Sequence, residues 1–356
     1  MRELLLIKDT LANKISYFHL MLFLLSLPFD RFYNHLILIS LTVHTIIHFN
    51  KNAVKPFFTW RVLALQSVFF VTLLSTIYTS NYSQAFTEWG LDIPVLLFPL
   101  LFCFNQLDLK KYRPQLLTAF ALGCTATILY LYTDAFVTIL YYGMPITNIL
   151  SPAFTNHNFA QPIDIHATFF SLQIALSLIY LLSRLIRERL SLKTQIFYTF
   201  CCVVLSAGII QLSSKSILIT LFLVVNIAFP YFLVRVEQRR RYIMVSVFIS
   251  CLAIIGIFNS RAFKDRYWGQ LKEDFSPSFA GQSVQPRLER WKIAGELISK
   301  SPLIGYGAGT EVAILGDRFF ERRFYSSYLH HLNSHNQYLS FLLKSGIWGL
   351  AAYGAT

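Results

Sequence analysis

The sequence predicts an all-α, polytopic integral membrane protein, and its composition and apolar patterning together support this prediction. Of the 356 residues, 55% are hydrophobic and only 14% are charged, whereas soluble domains carry about 25% charged residues. The apolar residues form runs of membrane-helix length along the whole chain. The formal net charge of +13 fits nucleic acid, anionic lipid or an anionic substrate, so the positions of the charges must decide between these partners.

About ten apolar segments have the character of transmembrane helices. They lie near residues 15–29, 33–49, 60–78, 91–105, 115–138, 164–183, 194–212, 216–234, 242–258 and 333–353. The fourth segment is short for a full span, which leaves a tilted or re-entrant helix as the alternative. No signal peptide with a small-residue cleavage site is recognisable, so we expect the first segment to be a retained helix.

The basic residues predict the orientation of the chain in the membrane. With the N-terminus in the cytoplasm, 17 of the 31 basic residues fall into five clusters on the cytoplasmic side, as the positive-inside rule requires. These are Arg2, Lys8 and Lys14; Lys51, Lys55 and Arg61; Lys110, Lys111 and Arg113; Arg184, Arg187, Arg189 and Lys193; and Arg235, Arg239, Arg240 and Arg241. This distribution explains much of the net charge without nucleic acid.

One polar segment, residues 259–332, breaks this pattern because it is basic and lies on the predicted periplasmic side. Its 11 cations are Arg261, Lys264, Arg266, Lys272, Arg287, Arg290, Lys292, Lys300, Arg318, Arg322 and Arg323. They indicate an anionic partner on that side, with attraction to lipid headgroups as the alternative. The predicted organisation is therefore a bundle of about nine helices in residues 1–258, a large periplasmic loop in residues 259–332 and a last membrane helix in residues 333–356.

Within the large loop, residues 286–310 predict a helix, a turn and a glycine-rich stretch. Trp291, Ala294, Leu297 and Ile298 recur at helical spacing, so this helix has an apolar face. We expect it to lie along the membrane surface or to pack on the helix bundle. The chain ends at Thr356, directly after the last apolar segment, as expected of a truncated product.

Arg287 and Arg290 are candidates for anion binding on this predicted helix. Three residues apart, they project to one side of it. Arginine keeps its charge and binds phosphate through two parallel hydrogen bonds. Neutralisation by Glu289 and Glu296 is the structural alternative.

The glycines Gly305, Gly307 and Gly309 alternate with other residues just after the turn. Alternating glycines allow the backbone to approach a ligand and offer N–H groups to an anion. A simple tight turn explains them equally well. The spacing is not that of a dinucleotide-binding motif, because no strand–helix unit surrounds it.

His335 and Asn336 begin the last membrane segment and are candidate catalytic and substrate-binding residues. A histidine at this position can be neutral near pH 7 and can then take a proton from a sugar hydroxyl, while Asn336 can orient a hydroxyl group. A polar helix cap is the alternative. His330 and His331 lie close by, but no carboxylate or cysteine joins them at ligand spacing, so we expect no metal site.

Lys215 and His166 are two further candidates, at the outer ends of predicted helices. Lys215 lies between the seventh and eighth segments in the sequence Ser213-Ser214-Lys215-Ser216. A cation between two apolar runs binds an anion or extends to lipid phosphate. His166 follows Asp164 at the outer start of the sixth segment and can pair with it or with the basic loop.

The combination of these motifs resembles the O-antigen ligase family of membrane glycosyltransferases. His335-Asn336 is followed by Gly346 and Gly349 in a pattern similar to the signature of that family. The stretch from Arg287 through Trp291 to SPLIGYGAGT is similar to the arginine-containing and glycine-rich part of the family's large periplasmic loop. By layout the resemblance covers most of the chain, and by motif it covers residues 287–349.

The resemblance implies a reaction and a role for each candidate residue. A glycan carried on undecaprenyl pyrophosphate is transferred to an acceptor sugar hydroxyl, with no metal, cofactor or nucleotide sugar. His335 would act as general base or orient the acceptor hydroxyl, and Arg287 would bind the pyrophosphate leaving group. Arg290 and the glycine loop would assist. Lys215 stands where family members often have arginine, which keeps the charge but loses the bidentate geometry.

We therefore expect an O-antigen ligase-like enzyme of the bacterial inner membrane, with its active site facing the periplasm. Its donor would be an undecaprenyl-pyrophosphate-linked glycan and its acceptor lipid A–core. The main alternative is an O-antigen or capsule polymerase, whose acceptor is another lipid-linked glycan. A transporter of lipid-linked sugars is disfavoured because the core helices carry almost no charge, and a non-catalytic scaffold is disfavoured by the His335–Arg287 combination.

Overall fold

The computed structural model describes residues 6–29, 31–55, 58–259 and 287–356, and these residues form helices joined by turns. The all-α prediction is confirmed for them. The longer helices are α1 (Leu11–Ser26), α2 (Arg31–Ile47), α3 (Trp60–Ser75), α4 (Tyr82–Phe104), α5 (Leu109–Tyr141), α6 (Ala167–Arg187), α7 (Leu192–Leu212), α8 (Lys215–Phe232), α9 (Val236–Asn259), α10 (Arg287–Lys300), α11 (Glu311–Glu321) and α12 (Gln337–Ala355). Residues 260–286, with four of the basic residues of the predicted loop, lie outside the described residues.

Five of these helices, α4 to α8, are long and apolar enough to cross a membrane by length and composition. Three shorter apolar helices correspond to α1, α2 and α3. The chain is therefore a membrane protein, while the predicted number of about ten spans stays a prediction. The fourth apolar segment, expected to be short, belongs to the 23-residue helix α4, which satisfies the length of a span.

Polar residues just before the helices determine where several of them begin. The side chains of Thr59, Asn81, Asp108 and Ser191 each accept a hydrogen bond from a backbone N–H in the first turn of the helix that follows. These are the residue types preferred at helix N-caps, because they satisfy N–H groups that have no partner within the helix. The caps thus place helix ends that the apolar runs alone leave uncertain.

The chain forms two compact units, each built from two stretches of sequence. Unit 1 consists of Met1–His48 and Leu107–Gly269, and unit 2 of Phe49–Gln106 and Gln270–Thr356. The core of unit 1 lies between α5, α6 and α7, where Ile128, Phe170 and Leu205 are fully buried. Gly208 permits this packing, since a Cβ at that position would lie 2.5 Å from Ile128 Cδ1.

In unit 2, the predicted amphipathic helix is α10, and it packs on other helices through its apolar face. Ala294 and Leu297 are buried against Leu315 of α11 and Leu343 of α12, while Ile298 is partly buried beside them. The predicted apolar face is thus buried against α11 and α12, while a position along the membrane surface or on the helix bundle of residues 1–258 stays a prediction. This packing holds the start of α10 near the start of α12, where the candidate residues lie.

Candidate functional site

His335 lies in a tight turn immediately before α12, and this turn, residues 333–336, is called the His335 turn below. The His335 backbone has φ +48°, a left-handed conformation that costs energy for a residue with a side chain. Its N–H donates to Asn333 Oδ1 at 3.0 Å, which supports the turn locally. The side chain of His335 is exposed and is therefore accessible to a substrate.

Asn336 is the N-cap of α12. Its side-chain oxygen accepts hydrogen bonds from Tyr338 N at 3.0 Å and Leu339 N at 3.4 Å, which satisfies N–H groups of the first turn. The oxygen is therefore occupied by the helix, and the amide NH₂ is the group that can meet a substrate hydroxyl. The expected polar helix start is present, and it fixes the direction of the chain next to His335.

Two side chains of α10 hold the backbone of the His335 turn. The Arg290 guanidinium donates from Nη1 to the carbonyl oxygen of Asn333 at 3.3 Å, and Trp291 Nε1 donates to the carbonyl oxygen of Ser334 at 2.9 Å. Arg290 is buried, with 6% of its surface exposed. In this contact Arg290 supports the turn, and its role in substrate binding stays a prediction.

A buried carboxylate that is not among the candidates predicted from the sequence also binds the His335 turn. Glu311, the first residue of α11, accepts from Ser334 N at 3.0 Å and from Ser334 Oγ at 2.7 Å. Its second oxygen accepts from Ser340 Oγ on α12. From the sequence, an acid in a basic loop is expected at the surface. The only local sign that Glu311 is buried is the preceding glycine stretch, which brings the chain back toward α12.

Arg287 is exposed at the first residue of α10, one helical turn before Trp291. Residues four apart lie on the same side of a helix, and Trp291 contacts the residue next to His335. Arg287 and His335 therefore belong to the same end of unit 2. Of the acids expected to neutralise the two arginines, Glu289 forms an ion pair with Lys292 at 2.6 Å and Glu296 forms one with Arg322 at 2.8 Å.

The glycine loop is packed against protein backbone on several sides. A Cβ on Gly305 would lie 2.5 Å from the Leu343 carbonyl oxygen, and one on Gly307 would lie 2.6 Å from Thr79 Cα. The N–H groups of Tyr306 and Gly307 donate at 2.8 Å to carbonyl oxygens of Leu343 and Lys344. These two N–H groups are used within the protein and are not available to an anion, while the predicted approach of the loop to a ligand stays a prediction.

What the glycine loop approaches is a break in α12. Gly346 has φ +61° and ψ −151° inside this helix, so carbonyl groups around it lack helical partners. The N–H groups of Tyr306 and Gly307 donate to two of these carbonyls, those of Leu343 and Lys344. Ile347 N donates to the Pro302 carbonyl oxygen at 2.9 Å. The neighbour that approaches Gly346 is thus the loop backbone at Leu303.

Charged residues also lie within the helices of unit 2. The prediction that the core helices carry almost no charge is therefore wrong for this unit. Lys344 Nζ lies 3.3 Å from Glu88 Oε1 of α4, and the two side chains are only 12% and 16% exposed. Asp92, one turn further along α4, accepts from Thr72 Oγ1 at 2.9 Å. The absence of charge therefore no longer argues against a transporter.

Lys215 and His166 belong to unit 1. Lys215 is half-buried at the first residue of α8, two residues after Ser213, whose φ is +52°. His166 is the N-cap of α6, with Nδ1 accepting from Thr168 N at 3.3 Å. Its ring lies edge-on to His157, with the centroids 4.2 Å apart, whereas the sequence suggested Asp164 or the basic loop as its partner.

The fold and the site together define an α-helical membrane protein that presents an exposed histidine at the start of a helix, held by a basic loop. The comparison with protein families places the carboxy-terminal part of the chain within this class: residues 200–354 match the family model described as O-antigen ligase. This match confirms the predicted family for that part and contains every candidate residue except His166. No curated protein matched the chain.

Proposed function

We propose that the protein is a glycosyltransferase that moves a glycan from undecaprenyl pyrophosphate to a sugar hydroxyl of lipid A–core on the periplasmic side of the inner membrane. The observation that carries this proposal is the His335 turn, an exposed histidine in a fixed, strained conformation within the segment that matches O-antigen ligase. Strained residues of this kind persist where the surroundings determine them and are concentrated at functional sites.

In the proposed reaction, the acceptor hydroxyl oxygen attacks the anomeric carbon of the glycan, and the bond between that carbon and the pyrophosphate oxygen breaks. His335 takes the proton of the hydroxyl, and undecaprenyl pyrophosphate leaves with the bonding electron pair. Positioned acid–base groups contribute about 10²–10⁴-fold to such steps. The exposed imidazole at the mouth of α12 is placed for an acceptor that is itself anchored in the membrane.

The leaving pyrophosphate gains negative charge, and fixed cations stabilise it best when they are already in place. Arg287 is the proposed cation, because it is exposed at the same end of unit 2 as the His335 turn. Three other basic residues of the loop, Lys292, Arg318 and Arg322, form ion pairs with acids of the same loop. Lys215, in unit 1, stays a predicted substrate-binding residue, with a point charge where a guanidinium would offer two hydrogen bonds.

The second candidate function is an O-antigen or capsule polymerase, which uses the same donor and the same chemical step. The family match favours a ligase by its description. One observation, the Lys344–Glu88 pair within the helices, supports a transporter. A transporter function does not explain the exposed His335.

Product analysis separates these functions. We expect membranes that contain the protein, given lipid-linked glycan and lipid A–core, to form the glycan–core conjugate and to release undecaprenyl pyrophosphate. A deletion strain should accumulate unligated, lipid-linked polymer of normal length. Elongation of lipid-linked glycan without conjugate would instead establish a polymerase, and movement of intact lipid-linked glycan across the membrane without transfer would establish a transporter.

A further inference from the structure

Glu311 is buried at the start of α11 and accepts hydrogen bonds from two residues that flank His335. The residue is 6% exposed, and Ser334, which supplies two of the donors, is fully buried. The third donor is Ser340, in the first turn of α12. A buried carboxylate requires such partners, because an ion without them is strongly disfavoured.

These contacts connect the two sides of the His335 turn through one carboxyl group. Ser334 directly precedes His335, and Ser340 lies five residues after it. Glu311 therefore fixes the backbone on both the amino-terminal and the carboxy-terminal side of the histidine. The left-handed φ of His335 (+48°) is maintained only if its surroundings hold it. Arg290 and Trp291 hold carbonyl oxygens of the turn, while Glu311 is the group that binds its buried N–H.

We propose that Glu311 is a positioning residue that holds His335 in the orientation required for glycan transfer. This inference depends on the proposed function, in which His335 receives the proton of the acceptor. Glu311 acts through the backbone and hydroxyl of Ser334 and does not itself touch the substrate. Misplacement of a catalytic group by about 1 Å costs on the order of 10²-fold in rate, which sets the size of the expected effect.

The side-chain chemistry supplies variants that separate geometry from charge. Glu311→Gln keeps a carbonyl oxygen for both donors of Ser334, and its NH₂ can donate to Ser340 Oγ after the hydroxyl turns. Glu311→Leu has a similar volume but no acceptor, so the buried N–H of Ser334 loses its partner. Glu296→Leu is the matched control, because Glu296 lies on the surface of the same loop and pairs only with Arg322 in the described contacts.

The experiment measures kcat and donor KM for glycan transfer at equal amounts of folded protein, with wild type and His335→Ala as references. We expect Glu311→Gln to stay within about threefold of wild type. Glu311→Leu should lose about 10²-fold in kcat, with donor KM changed by less than about twofold. Glu296→Leu should behave as wild type. A geometric role predicts this rescue by glutamine, whereas general loss of structure would lower the amount of folded protein and leave the kcat of the remainder unchanged.

Ser340→Ala provides a second test if Glu311→Leu does not fold, since it removes one donor and leaves the carboxylate bound to Ser334. We expect a kcat about three- to tenfold below wild type, while Ser299→Ala, whose hydroxyl bonds to its own helix, should have no effect. The inference is overturned if kcat is unchanged in Glu311→Leu or Ser340→Ala, or if Glu311→Gln is as inactive as Glu311→Leu. Full activity of His335→Ala would instead refute the proposed role of His335 itself.

Discussion

Removal of the Lys344 ammonium should destabilise unit 2 strongly, because it leaves acidic groups without their cation inside the helices. Lys344 Nζ lies 3.3 Å from Glu88 Oε1, with both side chains mostly buried, and it also acts electrostatically on Asp92. The proposed change is Lys344→Met, which retains a long apolar side chain next to Phe341. In the wild type, Lys344 Nζ lies 5.1 Å from the centroid of the Phe341 ring. The lost contribution is therefore mainly the charge.

The magnitude follows from the burial of the pair. Breaking a buried ion pair by removing one partner costs about 3–5 kcal/mol, since the other charge stays buried without compensation. This corresponds to a decrease of about two to nearly four orders of magnitude in the folding equilibrium constant. The double variant Lys344→Met with Glu88→Gln should recover part of this loss, because no ionised carboxylate then remains opposite the methionine.

The assay is reversible unfolding in mixed micelles, followed by far-ultraviolet circular dichroism for wild type and variants. Lys292→Met is the matched control: its ammonium pairs with Glu289 at 2.6 Å but is 60% exposed, and exposed pairs contribute about 0–1 kcal/mol. The reasoning is refuted if Lys344→Met is no less stable than Lys292→Met, or if the double variant is less stable than Lys344→Met alone.

Two further predictions concern the glycine loop and the amino-terminal end of unit 1. Gly305→Ala should destabilise the protein by about 1–3 kcal/mol, because φ is +68° and the added Cβ would lie 2.5 Å from the Leu343 carbonyl oxygen. Thermal unfolding should show this loss of stability. The control Gly295→Ala, where helix α10 has open space, should be neutral or stabilising. Burial acts to raise the pKa of Asp9, but hydrogen bonds from Asn13 and Tyr112 outweigh it and lower this pKa. A lowered folded-state pKa stabilises the protein above the ordinary pKa of aspartate, and this stabilisation is lost as pH falls through the folded value. Asp9→Asn should therefore be less stable than wild type near pH 7 and equal to it in acid; a difference independent of pH would contradict this assignment.

The positions of helices were largely predictable from apolar runs, because burial in a membrane or a bundle requires them. Residues 194–212 were predicted to span and form the helix Leu192–Leu212. The sixth segment extends to Arg187, beyond its apolar run, since arginines at the last turn interact favourably with the helix dipole. Apolar patterning cannot show such polar ends.

The candidate site was predictable in part, and the reason lies in the range of its contacts. The histidine before the last helix and the close approach of the glycines follow from local sequence. The pairing of Lys344 with Glu88 joins residues far apart in the chain, and Glu311 binds serines more than 20 residues away. Without the fold, a glutamate in a basic loop is indistinguishable from a surface acid.

The central claim is that the His335 turn carries glycan transfer, and one rate comparison tests it most directly. The initial rate of conjugate formation from lipid-linked glycan and lipid A–core is measured in membranes that contain equal amounts of wild type, His335→Ala or Arg287→Ala. We expect a decrease of at least about 10²-fold for His335→Ala and a similar loss for Arg287→Ala. Conjugate formation by His335→Ala at the wild-type rate would show that this histidine only begins a helix, and the proposed site would be wrong.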